Sequence, residues 1–136
     1  MLPEYLSQVK ELVKDKMLKS ISNNNKIEEA MGYSALADSK MIRAGLVFAS
    51  SETNKNISRE SIITLSSAVE LMHTYSLIHD DLPCMDDDSL RRNQPSSHVK
   101  YGEANAVLTG DALQALAYEI IVNDNFLSSD DKVNAI

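Results

Sequence analysis

The sequence predicts an all-α fold on three observations. Apolar residues recur at helical spacing in segment after segment. Only 4 Gly and 3 Pro punctuate 136 residues, too few for the frequent turns of an all-β fold. Capping residues stand where apolar-periodic stretches begin. The length and the 43% hydrophobic share fit one globular domain. Such a chain buries roughly two-thirds of its unfolded surface.

Each element can be justified in order. Leu6, Val9, Val13 and Met17 set a helix from Pro3 to about Ser20, with Pro3 suited to a first turn. Asn23–Asn25 is a polar break. A second helix runs from Lys26 to about Ala37, carrying Ile27, Met31 and Ser34 on one side. A third apolar stretch covers Met41–Ser50, and Ser51–Asn56 is a polar linker. The strongest helix spans about Ser58–Asp81, capped by Ser58 with Glu60 in its first turn. Its apolar stripe is Ile62, Leu65, Val69, Met72 and Ser76, with Leu71 and Ile78 beside it. Pro83 then interrupts regular hydrogen bonding. Asp86–Tyr101 is polar and reads as a loop. Glu103–Val122 reads as a helix whose Ala104, Ala106, Gly110, Ala112, Ala115 and Ala117 admit a close neighbour. Ser128-Ser129-Asp130-Asp131 is a helix start, with a cap and acids at the positive dipole end. With the last residue at Ile136, the expectation is a helix cut short and a chain that is a fragment.

Charge and composition exclude several classes. The 13 basic against 20 acidic residues give a net charge of −7. Without a basic block, nucleic-acid binding is not expected, because phosphate contacts need Lys and Arg. The single cysteine, Cys84, forms neither an internal disulfide nor a cysteine-based zinc site. No apolar stretch reaches membrane-spanning length, since Ala104–Val122 is interrupted by Asp111, Gln114 and Glu119. Charges recur through Met1–Lys19, unlike a signal peptide. A cytoplasmic protein is expected.

The sharpest feature is Asp80-Asp81-Leu-Pro-Cys-Met-Asp86-Asp87-Asp88, five carboxylates within nine residues. Such a run is ordinarily a solvated loop. Here the first pair follows the apolar Tyr75–Ile78 with only His79 between, and Arg91 and Arg92 follow the run. Acids that hold a hard cation and arginines that hold phosphate oxygens make a magnesium–phosphate site. A calcium loop starting at Asp86 would need glycine at its sixth position, which is Arg91. His73 and His79 do not have the i, i+4 zinc spacing. His73 and Asp80, seven apart, share a helix face, and Lys40 and Arg43 form an i, i+3 cationic pair.

Taken together, these residues resemble the trans-isoprenyl diphosphate synthases, or polyprenyl synthetases, of the bacterial farnesyl diphosphate synthase (geranyltranstransferase) type. Met72 to Asp88 resembles that family's first aspartate-rich motif, with Pro83 and Cys84 as the two intervening residues of the bacterial form. Ser89-Leu-Arg-Arg-Asn-Gln-Pro-Ser96 and His98 to Leu113 continue the pattern. The likeness runs from about Ile27 to Val122.

The resemblance implies an antiparallel helical bundle of the isoprenoid synthase type, of which residues 1–136 are the N-terminal part. It implies Mg²⁺-dependent, head-to-tail condensation of isopentenyl diphosphate with an allylic diphosphate, dimethylallyl or geranyl, to farnesyl diphosphate. Asp80, Asp81 and Asp86 would hold Mg²⁺, and Arg91 the allylic diphosphate. Lys40, Arg43, His73 and Arg92 would hold the diphosphate of isopentenyl diphosphate. Tyr75 and Ser76, a turn before the motif, would limit product length, with Tyr75 fitting a fifteen-carbon product. A homodimer or self-association is implied.

The pattern is also departed from. The family's Gly-Gly-Lys-Arg-x-Arg-Pro stands here as Asp38-Ser39-Lys40-Met41-Ile42-Arg43-Ala44, placing an acid near a diphosphate. The glycine after the arginine pair is Asn93, which tolerates left-handed backbone. The family's second aspartate-rich motif lies beyond these residues. The expectation is therefore that this chain alone is inactive. The alternative is a non-catalytic helical fragment or interaction module that reuses the fold.

Overall fold

The computed structural model describes residues 2–54 and 56–136. Among them are seven helices and one short hairpin: α1 (Leu2–Ser20), α2 (Lys26–Ala35), α3 (Ile42–Ser51), α4 (Arg59–Asp80), β1 (Leu90–Arg91), β2 (Gln94–Pro95), α5 (Ser97–Tyr101), α6 (Glu103–Val122) and α7 (Ser129–Ala135). The all-α expectation holds. Residue 55 of the linker read at Ser51–Asn56 lies outside the described residues.

Caps define the ends. The Asn25 side chain accepts from the N–H groups of Ile27 and Glu28 at the start of α2. Ser58 caps α4 through Ser61 N–H, and Ser128 caps α7 through Asp131 N–H. The second helix closes at Ala35, two residues before the expected end, where the Leu36 N–H donates to Gly32 O.

Helix α4 is the hub, packed against α1, α2, α3 and α6. It runs antiparallel to α6. His79 near its end donates from Nε2 to Val107 O at 3.0 Å, while Ser61 near its start donates to Asp124 just past α6 at 2.9 Å. The approach is close enough that a Cβ on Gly110 would collide with the His79 ring. Val9, Val13 and Met17 of α1, Leu71 and Ile78 of α4, and Leu113, Ala117 and Ile121 of α6 form the core.

The buried face of α4 differs from the apolar stripe read in the sequence. Ser61, Thr64, Ser66, Ser67, Ala68, Glu70, Leu71, Thr74 and Ile78 are buried, whereas Val69 is exposed and Ile62, Leu65, Met72 and Ser76 are half-buried. Small residues let several helices close on α4 at once. Two of their hydroxyls bond back along the helix, Ser67 to Ile63 O and Thr74 to Glu70 O, both at 2.8 Å, and Ser61 bonds Asp124, while Ser66 Oγ is buried without a partner.

The stretch Asp86–Tyr101 is also more ordered than a loop. Leu90 pairs with Pro95 and Arg91 with Gln94 in an antiparallel hairpin. Its two turn residues, Arg92 and Asn93, have φ of 53° and 60°. Positive φ at both positions belongs to the tight turn that matches strand twist. Helix α5 follows, and Gly102, at φ 89°, redirects the chain into α6. No helix among the described residues is long and apolar enough to cross a membrane.

Candidate functional site

The start of α3, the middle of α4 and the hairpin enclose an open cleft of about 390 Å³. Lys40, Arg43, His73, Arg91 and Arg92 all line it, with Asp38, Ser39, Glu70 and Asn93. Residues from three separate stretches of sequence thus line one cleft. Among the described residues, Lys40, Arg43 and Arg92 take part in no ion pair.

The backbone is strained where it delivers these groups. Met41, which precedes α3, is left-handed at φ 46° and offers no side-chain cap. Arg92 occupies the hairpin turn at φ 53°. Non-glycine residues with such angles persist only where their surroundings fix them. Ser39 Oγ is buried without a hydrogen-bond partner in the chain.

Glu70 is a member of the site that residue patterns did not single out. It is buried on α4, and its Oε1 accepts the Ala44 N–H at 3.0 Å, satisfying one orphan donor of α3. Where the family pattern has proline, that donor would not exist. The carboxylate of Glu70 also opposes the cationic groups of the cleft. Its signal in the sequence was a lone acid, one turn before His73, amid the small residues of the central helix.

Local electrostatics follow from this packing. Burial, then the positive charge of Arg43, holds the His73 imidazole below its ordinary value, with Glu70 acting against them. His73 is therefore neutral at pH 7. Burial likewise lowers the pKa of Arg92, with Glu70 compensating. Hydrogen bonding to Asp81 raises that of Arg91.

The acidic turn is arranged differently. Asp80 is the last residue of α4 and half-buried, Asp81 is the buried C-cap, and Asp86, Asp87 and Asp88 are exposed. Backbone bonds fold the turn, with the Asp86 N–H donating to Asp80 O at 2.8 Å and the Asp88 N–H to Asp81 O at 3.2 Å. Arg91 grips Asp81 through Nη2 and through Nε at 3.1 and 3.2 Å, and reaches Asp88 at 3.5 Å. Among the described residues, no group of three or more His, Cys, Asp or Glu side chains converges as metal ligands. The donors nevertheless fit a hard divalent cation in kind. All are carboxylate oxygens, Asp80 and Asp86 are free of ion pairs among the described residues, and the backbone ties them together. Asp81 is committed to Arg91.

Tyr75 and Ser76 sit one turn before Asp80. The Tyr75 ring meets His79 edge-on, centroids 5.7 Å apart, and Ser76 Oγ donates to His73 O at 2.9 Å.

The all-helical bundle sets a cationic cleft beside an aspartate-rich turn, an arrangement suited to binding polyanions. Comparison with known proteins agrees: the family model "Polyprenyl synthetase" matches residues 24–135, and the chain belongs to that family. It is 49% identical over 104 residues to the farnesyl diphosphate synthase of Buchnera aphidicola subsp. Schizaphis graminum, covering 76% of this chain and 35% of that protein. It is 53% identical over 97 residues to the chloroplastic geranylgeranyl pyrophosphate synthase of Capsicum annuum, covering 71% and 26%. The crystal structure of an FPP/GFPP synthase from Zymomonas mobilis superposes with a TM-score of 0.91 at 36% identity, covering 98% of this chain and 49% of that one. The chain thus spans about a quarter to a half of the length of these relatives.

Proposed function

We propose that residues 1–136 form the N-terminal part of one isoprenyl synthase domain, and that this part binds diphosphates for head-to-tail prenyl transfer. The observation that carries this is the single cleft lined by Lys40, Arg43, His73, Arg91 and Arg92 beside the Asp80–Asp88 turn. Lys40, Arg43 and Arg92, with neutral His73 donating or accepting a hydrogen bond, hold the diphosphate of isopentenyl diphosphate. This fixes the double bond of that substrate for attack on the allylic carbon. Arg91 lies between the cleft and the acidic turn, and there it reaches the allylic diphosphate. Asp80 and Asp86 would hold Mg²⁺, with Asp81 joining them only once Arg91 turns from it to the diphosphate, and the ion would supply charge compensation for the departing group.

Tyr75 and Ser76 bound the space for the growing chain, and we infer a fifteen-carbon product. The named relatives make both farnesyl and geranylgeranyl diphosphates, so the family spans this choice. Water-borne diphosphate substrates favour a cytoplasmic location. Exposed Val107, Leu108 and Val122 on α6 support self-association. Because the chain spans about half of its solved relative, we infer binding rather than turnover by these residues alone.

Calorimetric titration with isopentenyl diphosphate tests the reading. Saturable binding is expected, weakened at least tenfold by Arg43→Gln or Arg92→Gln. Binding that ignores both substitutions refutes the assignment. Farnesyl diphosphate formed from geranyl and isopentenyl diphosphates by the 136-residue chain overturns the inference of binding without turnover.

A further inference from the structure

Asp38 is the residue of the cleft that ought to oppose an anion, and the structure shows where its charge goes. Its side chain, 86% exposed, lies at the mouth of the cleft, two residues before Lys40. It is paired with the Lys10 ammonium, which reaches across from α1 and is itself only 30% exposed. The next turn of α1 carries Lys14, which lies within electrostatic range of both Asp38 and Arg92. The hydrogen bond from Lys10 and its positive charge hold the Asp38 carboxyl below its ordinary range. Lys40 and Arg43, meanwhile, have no acidic partner among the described residues.

We propose that Lys10 is a positioning residue that draws the Asp38 carboxylate toward α1, and so leaves Lys40 and Arg43 free to take a diphosphate. Asp38 lines the same cleft as Lys40 and Arg43, and Lys10 of α1 pairs with it. Engaged by Lys10, it is paired at the cleft's edge, where its charge still reaches Arg92. Released from Lys10, it becomes an internal counter-ion for Lys40 and Arg43, and an incoming polyanion must displace it. The multiple charge of a diphosphate multiplies even a modest screened repulsion, giving about a three- to tenfold loss of affinity. The Lys10–Asp38 pair thereby offsets the replacement of a glycine by an acid at this position. The inference rests on the diphosphate-binding reading of the cleft.

The test is calorimetric titration of inorganic pyrophosphate into the 136-residue chain and its variants, each checked for helix content by circular dichroism. Lys10→Met should weaken binding about three- to tenfold, with Lys10→Gln as a second neutral variant. Asp38→Asn should bind at least as tightly as the unsubstituted chain. The double variant Lys10→Met/Asp38→Asn should recover to within about twofold of Asp38→Asn. Unchanged affinity in both Lys10 variants overturns the proposal and leaves the pair a surface tie. A double variant as weak as Lys10→Met also overturns it, because Lys10 would then touch the anion itself. If the unsubstituted chain binds no pyrophosphate, or Arg43→Gln changes nothing, the diphosphate reading falls first and takes this inference with it.

Discussion

The cationic cleft and the acidic turn carry opposite charges and are built in opposite ways. The cleft draws residues from the α3 entrance, from α4 and from the hairpin, yet they line one volume. The acids are near neighbours in sequence, yet Asp81 is buried against Arg91 while Asp86–Asp88 point to solvent. Helices and a strained turn fix the first set before any ligand arrives. The second set is held by backbone bonds within the turn, and its carboxylates do not converge. Arg91 belongs to both regions, and it is where the contrast can be broken.

The largest expected effect is therefore at Arg91. Asp81 is almost fully buried, and Arg91 is its only ion-pair partner among the described residues. Arg91→Ala leaves a buried carboxylate without its counter-ion. Removing one partner of a fully buried pair costs about 3–5 kcal/mol. Because the arginine is 35% exposed and partly solvent-screened, about 2–3 kcal/mol is expected here. Urea denaturation measures it. A loss below about 0.5 kcal/mol would show that Asp81 is not tied to the fold through Arg91, and the two regions would be independent.

Glu70→Gln separates stability from binding within the cleft. The amide keeps an acceptor for the Ala44 N–H but loses the charge that strengthens the bond and offsets Arg92. A destabilisation of about 1–2 kcal/mol is expected. Pyrophosphate affinity should rise at the same time, because one opposing charge has left the site. Paired denaturation and calorimetry read both, and weaker binding would mean that Glu70 orders the cations more than it opposes the anion.

Much of this was legible in the sequence, for identifiable reasons. The helices follow from apolar spacing and from the caps at Ser58 and Ser128, local signals, whereas Asn25, read only as part of a polar break, proves to cap α2. The acidic turn is contiguous, so it was visible at once. Asn93 was read as tolerant of left-handed backbone and sits at φ 60°. What it serves, a two-residue hairpin, stayed hidden because Arg92 shares the left-handed geometry without any compositional sign. The buried face of α4 was missed because Ser and Thr count as polar in a periodicity reading. In the fold they pack as small residues, and Ser67 and Thr74 satisfy their hydroxyls within the helix. Glu70 and the Lys10–Asp38 pair depend on contacts between distant helices, which no local pattern encodes.

The smallest expected effect concerns His73, whose protonation senses the balance of charge in the cleft. In the folded chain its pKa lies below the ordinary 6.5, through burial and then Arg43. The unfolded chain takes up this proton first as pH falls. The stability tied to neutral His73 is thus fully present above about pH 6.5 and is lost as pH drops toward the folded value. The melting temperature should therefore fall more steeply between pH 7 and 5 in the unsubstituted chain than in His73→Asn. A bound diphosphate adds negative charge beside the ring and should raise the His73 midpoint. An NMR titration of the imidazole with and without pyrophosphate reads this directly. A midpoint at or above 6.5 in the free chain would show that the cationic wall is not close enough to suppress the proton. A midpoint unmoved by pyrophosphate would place the anion away from His73 and redraw the cleft around its arginines alone.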